Sequence, residues 1–221
     1  MSREPKIEQY LVSTCLLVID EFNHQFRFVE SKEELELIAN NEFNETDLAF
    51  KIGFPFKQMA YFENKEKRGN LPKTDIYIKE KDFKIEIKYL RNYSAKNKVN
   101  SSSNSLPWTQ LKSDFDWLIN DIKLGKKHKS ALIIGWFNYF DYFSQIVQLG
   151  TGRGPAPNYD QAKVDYFPFL RALGPKTKDL EIAYDIAYEA RSSLTPDVKG
   201  HQLNCMLLGK ETDKFNMVLY W

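Results

Sequence analysis

The chain has few of the residues that bind transition metals, with two cysteines and three histidines among 221 residues. Cys15 and Cys205 lie far apart in apolar sequence, so we predict two buried free thiols, and neither a disulfide nor a metal pair. The histidines share no metal-ligand spacing, and no Ser-His-Asp arrangement can be argued from them: His24, His128 and His201. The sequence therefore does not predict a zinc site or a serine hydrolase.

Long hydrophobic runs are also missing. The best candidate, YLVSTCLLVIDEF over residues 10–22, is shorter than the roughly 18 to 20 apolar residues of a membrane span, and Asp20 and Glu21 interrupt it. The opening MSREPKIEQ is charged and lacks the apolar stretch of a secretory signal. We expect a cytoplasmic protein that does not enter the membrane.

The chain has little excess of either charge, since its formal net charge is +1, but the charges are unevenly distributed. Acidic side chains outnumber basic ones in residues 1–56, and the reverse holds in residues 57–100. A locally basic segment suits contact with a polyanion, although a lysine-rich hairpin surface is often simply solvated.

The pattern of apolar residues predicts an α/β fold, a central mixed β-sheet flanked by helices. Helices are expected over residues 7–22, from Ser31, whose capping box is completed by Glu34, and over 107–124, with Gly125 as the stop signal. Residues 44–54 either continue the second helix or form another. The apolar run 129–137 is typical of a strand buried on both faces.

We interpret residues 1–221 as a single domain, with a core of about 33–137 and additions over 138–221. The additions are predicted to be helical segments, including an amphipathic helix in DLEIAYDIAYEARSS (179–193), followed by a terminal hairpin. The Ser-, Asn- and Lys-rich residues 92–107 are typical of a long loop.

The segment KTDIYIKEKDFKIEIKY, residues 73–89, predicts a β-hairpin with a two-residue turn at Glu80 and Lys81. The register then pairs apolar residues on one face: Ile76 with Ile85, and Ile78 with Phe83. A shift by one residue would mix the polar and apolar sets, so burial favours this register.

In that register Asp75 lies opposite Glu86 on the polar face, where facing like charges destabilise a sheet. Three arrangements would relieve the repulsion: one carboxyl keeps its proton, Lys73 and Lys88 neutralise the pair, or a divalent cation lies between the two. Mg²⁺ prefers one or two carboxylates with water and phosphate oxygens. Lys88 would then stabilise charge on a phosphate or hold an attacking water, with a pKa that is lowered beside the metal.

The residues Pro72-Lys73-Thr74-Asp75 and Glu86-Ile87-Lys88 resemble the signature of the PD-(D/E)XK nuclease superfamily, which has the restriction-endonuclease-like fold. Two residues separate the proline from the aspartate here, a departure that leaves the acidic ligand in place. The resemblance covers roughly residues 33–137 and implies a core of helix, three strands, helix and strand.

The resemblance implies a Mg²⁺-dependent deoxyribonuclease of the restriction-endonuclease kind, in which Mn²⁺ substitutes for Mg²⁺. Asp75, Glu86 and the Ile87 carbonyl would hold the metal, and Lys88 and Gln110 would complete the catalytic set. An extra acid is expected from the first core helix, with Glu42, Glu45 and Asp47 as candidates, or from Glu63 on the strand before Asp75. Gln110 is equally well read as a plain surface glutamine.

Double-stranded DNA is the implied partner, and a homodimer is the form that would cut both strands. The residues expected to contact nucleic acid are Lys73, Arg91, Lys96 and Lys98. Two other hypotheses stay open. One is a nucleic-acid-binding protein on the same fold that does not cut, and the other is an interaction protein in which lysines neutralise the two carboxylates.

Overall fold

The computed structural model describes residues 4–62, 74–92, 108–151, 157–193 and 202–221. Three helices come first: α1 (Ile7–Gln25), α2 (Lys32–Asn41) and α3 (Glu45–Gly53). The strands β1 (Ala60–Phe62), β2 (Ile76–Ile78) and β3 (Phe83–Leu90) follow, and then α4 (Trp108–Asp121) and β4 (Ser130–Phe137). The later elements are α5 (Gln161–Val164), β5 (Leu170–Ala172), β6 (Leu180–Ile182), β7 (Arg191–Ser193), β8 (Leu203–Leu208) and β9 (Phe215–Tyr220).

Within these described ranges, seven strands form one mixed sheet in the order β1-β2-β3-β4-β9-β8-β7. Only β3 and β4 run parallel to each other, and the other neighbours are antiparallel. The α4 helix lies in the connection that a parallel pair requires. A separate two-stranded sheet contains β5 and β6. The model thus confirms the α/β class with a large mixed sheet flanked by helices.

The first three helices cover one face of the sheet. Apolar residues of α1 recur at helical spacing and are buried, from Leu11 through Val18 to Phe22. Phe22 packs against the facing aromatic rings of Phe137 on β4 and Phe215 on β9. Odd-numbered residues of these strands share this face because side chains alternate along a strand.

The opposite face is covered by α4 and by the described residues of 139–151 and 157–187. Phe115 of α4 packs against Tyr220 of β9, and Trp136 of β4 packs against Phe143 and Phe169. This face also holds a polar link, in which Asp121 accepts hydrogen bonds from Lys84 at 2.8 Å and from Ser130 at 2.6 Å. The even-numbered side chains of β3 therefore point toward α4.

The predicted hairpin register is confirmed, with Ile76 paired to Ile85 and Ile78 to Phe83. The predicted two-residue turn is wrong. Residues Lys79–Lys81 form a short 3₁₀ turn, and Asp82 follows in the left-handed region at φ 53°. The connection therefore contains the four residues 79–82 in place of the predicted two. It keeps the same pairing because it is longer by one residue on each side.

Other predictions are also resolved by the model. The helix near Ser31 is confirmed, and the Ser31 side chain accepts a hydrogen bond from the Glu34 N–H at 3.0 Å. Residues 44–54 form a separate helix, α3, because Asn44 caps its start. The run 129–137 contains β4, whose eight residues are all buried. Cys15 and Cys205 are buried free thiols.

The predicted amphipathic helix over 179–193 is wrong. Leu180–Ile182 and Arg191–Ser193 are strands, joined through a short 3₁₀ turn at Tyr184–Ile186. Pairing with β5 and β8 overrides the helical spacing of the apolar residues. Among the described residues of 138–193, the longest α-helix is the four-residue α5. The terminal hairpin is confirmed as β8 and β9.

None of the helices in the described ranges combines the length and apolar character needed to cross a bilayer.

Candidate active site

The candidate site lies where β3 continues past the end of β2. The pairing of β2 with β3 begins at Ile76 and Ile85, whereas β3 extends to Leu90. Among the described residues, side chains and not a strand bond to the edge of β3 opposite β4 along this stretch. Asp75 Oδ2 accepts a hydrogen bond from the Ile87 N–H at 2.7 Å, and Glu45 Oε2 accepts one from the Tyr89 N–H at 3.1 Å. Two carboxylates from different elements are thereby fixed along one strand edge.

Thr74 holds the chain just before Asp75. Its hydroxyl donates a hydrogen bond to the Ile85 carbonyl at 2.8 Å, and the residue is buried. In a strand the N–H and C=O of one residue point to the same edge. The Ile87 carbonyl is therefore directed to the edge that carries the Asp75 carboxylate, where the sequence predicted a third oxygen ligand.

Glu86 and Lys88 are consecutive even-numbered positions of β3 and point toward α4. The Lys88 ammonium lies 3.5 Å from Glu45 Oε2 and 3.5 Å from Asp114 Oδ2 of α4. Its side chain is only 17% exposed, and that of Asp114 is 16% exposed. One buried ammonium is thus placed between carboxylates from two helices.

Burial and neighbouring charge change the protonation of the hairpin carboxylates. Burial of the side chain, followed by the charges of Asp75 and Asp114, raises the pKa of Glu86 to about 8. The charge of Asp75 is one of these causes, in agreement with the predicted placement of the two hairpin carboxylates near each other. Burial likewise raises the pKa of Asp114, against the lowering effect of Lys88.

The pKa of Lys88 is raised, whereas the lowering predicted from the sequence applies to a lysine beside a bound metal. Burial alone would lower it, but the surrounding carboxylates, led by Glu45 and Asp114, raise the pKa above its ordinary value. Without a metal or phosphate beside it, the side chain is a stable ammonium ion, because four acidic groups surround it: Glu45, Asp75, Glu86 and Asp114.

The donor set fits a hard divalent cation. When ionised, the four carboxylates carry more negative charge than Lys88 compensates, and this charge adds to burial in raising the pKa of Glu86. A pair of carboxylates with a backbone carbonyl matches the oxygen ligands of Mg²⁺, which keeps several waters. Within the part of the chain that the structure describes, no three His, Cys, Asp or Glu side chains are arranged to hold one ion together. The fit therefore rests on two carboxylates, those of Asp75 and Glu86.

The first-helix candidates have different environments. Glu45 is at the site. Asp47 instead accepts a hydrogen bond from the Asn44 N–H at 2.9 Å and closes the capping box of α3. Glu42 is an exposed residue at the end of α2. Of the three acids predicted for this helix, the model thus brings Glu45 to Lys88.

The remaining predicted residues are less closely tied to the site. Gln110 is exposed on the first turn of α4, one turn before Asp114 on the same side of the helix. Arg91 donates hydrogen bonds to the carbonyls of Asn40 at 3.1 Å and Phe43 at 3.4 Å, so it supports the connection between α2 and α3. Four predicted residues lie outside the described ranges: Glu63, Lys73, Lys96 and Lys98.

Asp114 was not found from the sequence. It follows Gln110 by four residues, a spacing that places both on one helix side, and this was the available signal. What the spacing does not reveal is that this side faces the polar side chains of β3.

An open cavity of about 510 Å³ adjoins the site at the start of α3. Its lining comes from the first residues of that helix and the end of β3: Asn44, Glu45, Thr46, Asp47, Tyr89 and Arg91. Glu45 belongs both to this cavity and to the group around Lys88, so the cavity gives solvent access to the carboxylate side of the site.

The chain matches no protein-family model, and no curated protein or solved structure matches it.

Proposed function

We propose that the protein is a divalent-cation-dependent phosphodiesterase that hydrolyses DNA, with Mg²⁺ as its cofactor and Mn²⁺ as a substitute. The proposal is supported by the hydrogen bond that fixes the Asp75 carboxylate on the Ile87 N–H of β3, the strand that also carries Glu86 and Lys88. The order α3, β1, β2, β3, α4, β4 agrees with the restriction-endonuclease-like core that the signature implies. This agreement supports the roles proposed for Asp75, Glu86 and Lys88.

Asp75, Glu86 and the Ile87 carbonyl would hold the cation. Such an ion polarises a phosphodiester and supplies hydroxide near neutral pH. The Asp75 carboxylate is kept in place by the Ile87 N–H, and Glu86 is fixed on β3. Lys88 contributes a fixed positive charge, which stabilises the extra negative charge of a phosphate undergoing attack.

DNA is the proposed substrate because the site combines a cation position with a basic segment of the chain. Residues 57–100 carry an excess of lysine and arginine, and they include the hairpin itself. Lysine and arginine side chains bind the phosphate backbone without reading the base sequence. Their affinity for DNA falls steeply as the salt concentration rises.

The test is a cleavage assay with supercoiled and linear duplex DNA in Mg²⁺, in Mn²⁺ and in EDTA. We expect wild-type protein to cut in either metal and to be inactive in EDTA. Asp75→Asn and Lys88→Met are expected to lose at least about a hundredfold in rate, the usual scale for removing a group that stabilises the transition state. Asp82→Asn is the matched control, since it removes an acid from the same hairpin near the turn and tolerates a left-handed conformation.

Binding of DNA without cutting in any metal would favour the alternative, a nucleic-acid-binding protein on the same fold. Absence of both cutting and salt-dependent binding would favour an interaction protein. Single-stranded DNA and RNA are included as substrates, because nothing in the site distinguishes deoxyribose from ribose. Cutting of RNA alone would overturn the assignment to DNA.

A further inference from the structure

Lys88 has two carboxylate partners that come from opposite sides of the sheet. Glu45 begins α3, which packs on one face, and Asp114 belongs to α4, which packs on the other. Each places a carboxylate oxygen 3.5 Å from the Lys88 ammonium. Glu45 reaches the ammonium around the edge that β2 leaves uncovered, where the Tyr89 N–H fixes its carboxylate.

Asp114 has no evident structural reason to be buried at this position. Its Oδ2 atom is inaccessible to solvent and has no hydrogen-bond partner among the described residues. At 3.5 Å its contact with Lys88 is a long ion pair rather than a tight hydrogen bond. A buried carboxylate without a hydrogen bond is costly, so the ammonium is the group that keeps it there.

The position of the Lys88 ammonium matters for cation binding. An ammonium placed between Asp75 and Glu86 would neutralise them and occupy the place of a cation. In the structure the ammonium instead lies 3.5 Å from a carboxylate oxygen of Glu45 and 3.5 Å from one of Asp114.

We infer that Asp114 is a positioning residue, which together with Glu45 holds the Lys88 ammonium between α3 and α4 and so keeps it out of the place between Asp75 and Glu86 where a divalent cation would bind. The inference rests on the proposed function and deepens it. Asp114 acts through Lys88 and is not itself a ligand. This agrees with the arrangement of the acidic side chains in the described ranges, of which no three share a metal position.

The test measures Mn²⁺ affinity without DNA, by electron paramagnetic resonance of free Mn²⁺ during titration of EDTA-stripped protein. Asp114→Asn is made in the wild type and in Lys88→Met. With Lys88 present, we expect the substitution to weaken Mn²⁺ binding about tenfold, because the released ammonium turns to Asp75 and Glu86; residues in one ion-pair network couple on this scale. With Met at position 88, we expect a loss of at most about threefold, the remaining effect of removing a nearby negative charge.

Asp116→Asn is the matched control, since Asp116 lies on the same helix but pairs with Lys112 at the exposed surface. It is expected to change the Mn²⁺ affinity by less than about twofold. Glu45→Gln, tested in the same two backgrounds, is expected to repeat the pattern and provides the answer if Asp114→Asn does not fold. Circular dichroism melting of each variant verifies folding.

Equal losses from Asp114→Asn in both backgrounds would overturn the inference, because the carboxylate would then act on the cation directly. No loss in either background would also overturn it. If the wild type binds Mn²⁺ no better than Asp75→Asn, the proposed function fails and the inference falls with it. If the wild type binds Mn²⁺ normally and Asp114→Asn causes equal losses in both backgrounds, the inference about Asp114 is wrong and the proposed function is unaffected.

Discussion

The carboxylate of Asp75 accepts a hydrogen bond from the backbone N–H of Ile87, with an oxygen–nitrogen distance of 2.7 Å. The bond joins the residue before β2 to the middle of β3, one position beyond Glu86. Asp75 consequently stabilises the hairpin end in addition to the role proposed for it in cation binding, and the two contributions are separable by substitution.

Asp75→Asn and Asp75→Ala should separate structure from chemistry. The asparagine side chain keeps an oxygen that accepts from the Ile87 N–H, whereas alanine leaves this donor unpaired. We expect alanine to reduce the free energy of unfolding by about 1–3 kcal/mol and asparagine by less than about 1 kcal/mol. Both should lose Mn²⁺ binding. Urea unfolding and Mn²⁺ titration measure the two effects, and equal destabilisation by the two variants would contradict the bonding role.

Glu86 should make the stability of the metal-free protein depend on pH. Its pKa is about 8 in the folded protein against an ordinary value of 4.5. Between these values the folded protein keeps a proton that the unfolded chain has released. The stabilising contribution is therefore complete below about pH 4.5, falls as the pH rises and is lost above about pH 8.

Glu86→Gln removes this titration. In EDTA, the free energy of unfolding of the variant minus that of wild type should rise from pH 5 to pH 8.5 by at least about 1 kcal/mol, the value of one pKa unit. Chemical denaturation across this pH range measures the difference. Glu80→Gln, at the exposed turn of the same hairpin, is the control and should give a flat difference. A flat difference for Glu86→Gln as well would show that the carboxyl ionises normally.

The polar link between α4 and the sheet should contribute to stability and not to cation binding. Asp121 is 8% exposed and accepts hydrogen bonds from Lys84 and Ser130. Asp121→Ala leaves a largely buried ammonium without its partner and should cost about 3 kcal/mol. Mn²⁺ affinity of the folded variant should stay within about twofold of wild type.

The control for Asp121 is Lys112→Ala, which breaks the exposed pair with Asp116 on the same helix. It should cost less than about 1 kcal/mol in thermal or urea unfolding. A similar small cost for Asp121→Ala would mean that the buried link is not a stabilising contact.

Gly135 should control how closely α3 approaches the sheet. A Cβ atom at this position of β4 would lie 2.8 Å from Phe215 Cζ and 2.9 Å from Leu48 Cδ2 of α3. Gly135→Ala should therefore destabilise the fold by about 1–3 kcal/mol through overpacking. Because Glu45 is one turn from Leu48, the displaced helix should also weaken Mn²⁺ binding.

Gly125→Ala provides a comparison for Gly135. Gly125 has φ +82° and no heavy atom within 4 Å of a Cβ built there. Its substitution should cost about 1 kcal/mol through backbone conformation alone and should leave Mn²⁺ binding unchanged. If both variants lost Mn²⁺ binding equally, the loss in Gly135→Ala could not be assigned to a displacement of Glu45.

The hairpin was predictable from sequence because its apolar alternation allows a single register. Ile76, Ile78 and Ile85 are all buried, so a one-residue shift would expose them. The turn was not predictable to the same degree. Both a two-residue and a four-residue connection satisfy the pairing, and the left-handed conformation of Asp82 decides between them.

The site was predictable in part for the same reason. Asp75, Glu86 and Lys88 are within one local hairpin, whereas Asp114 and Glu45 meet Lys88 only through the packing of α4 and α3. The strands in residues 179–193 were missed because their partners, β5 and β8, lie outside this segment. The spacing of Leu180, Ala183 and Ala187 within it is helical and predicted the wrong secondary structure.

The central place of β9 has a consequence for how the chain reaches its native state. This strand separates β4 from β8 and is buried along its whole length, although it lies far from β4 in the sequence. During synthesis, the edge of β4 that pairs with β9 stays unpaired until residues 215–220 leave the ribosome. A fragment limited to residues 33–137 would present the apolar edge of β4 to other chains, so we expect it to aggregate instead of folding as an independent unit.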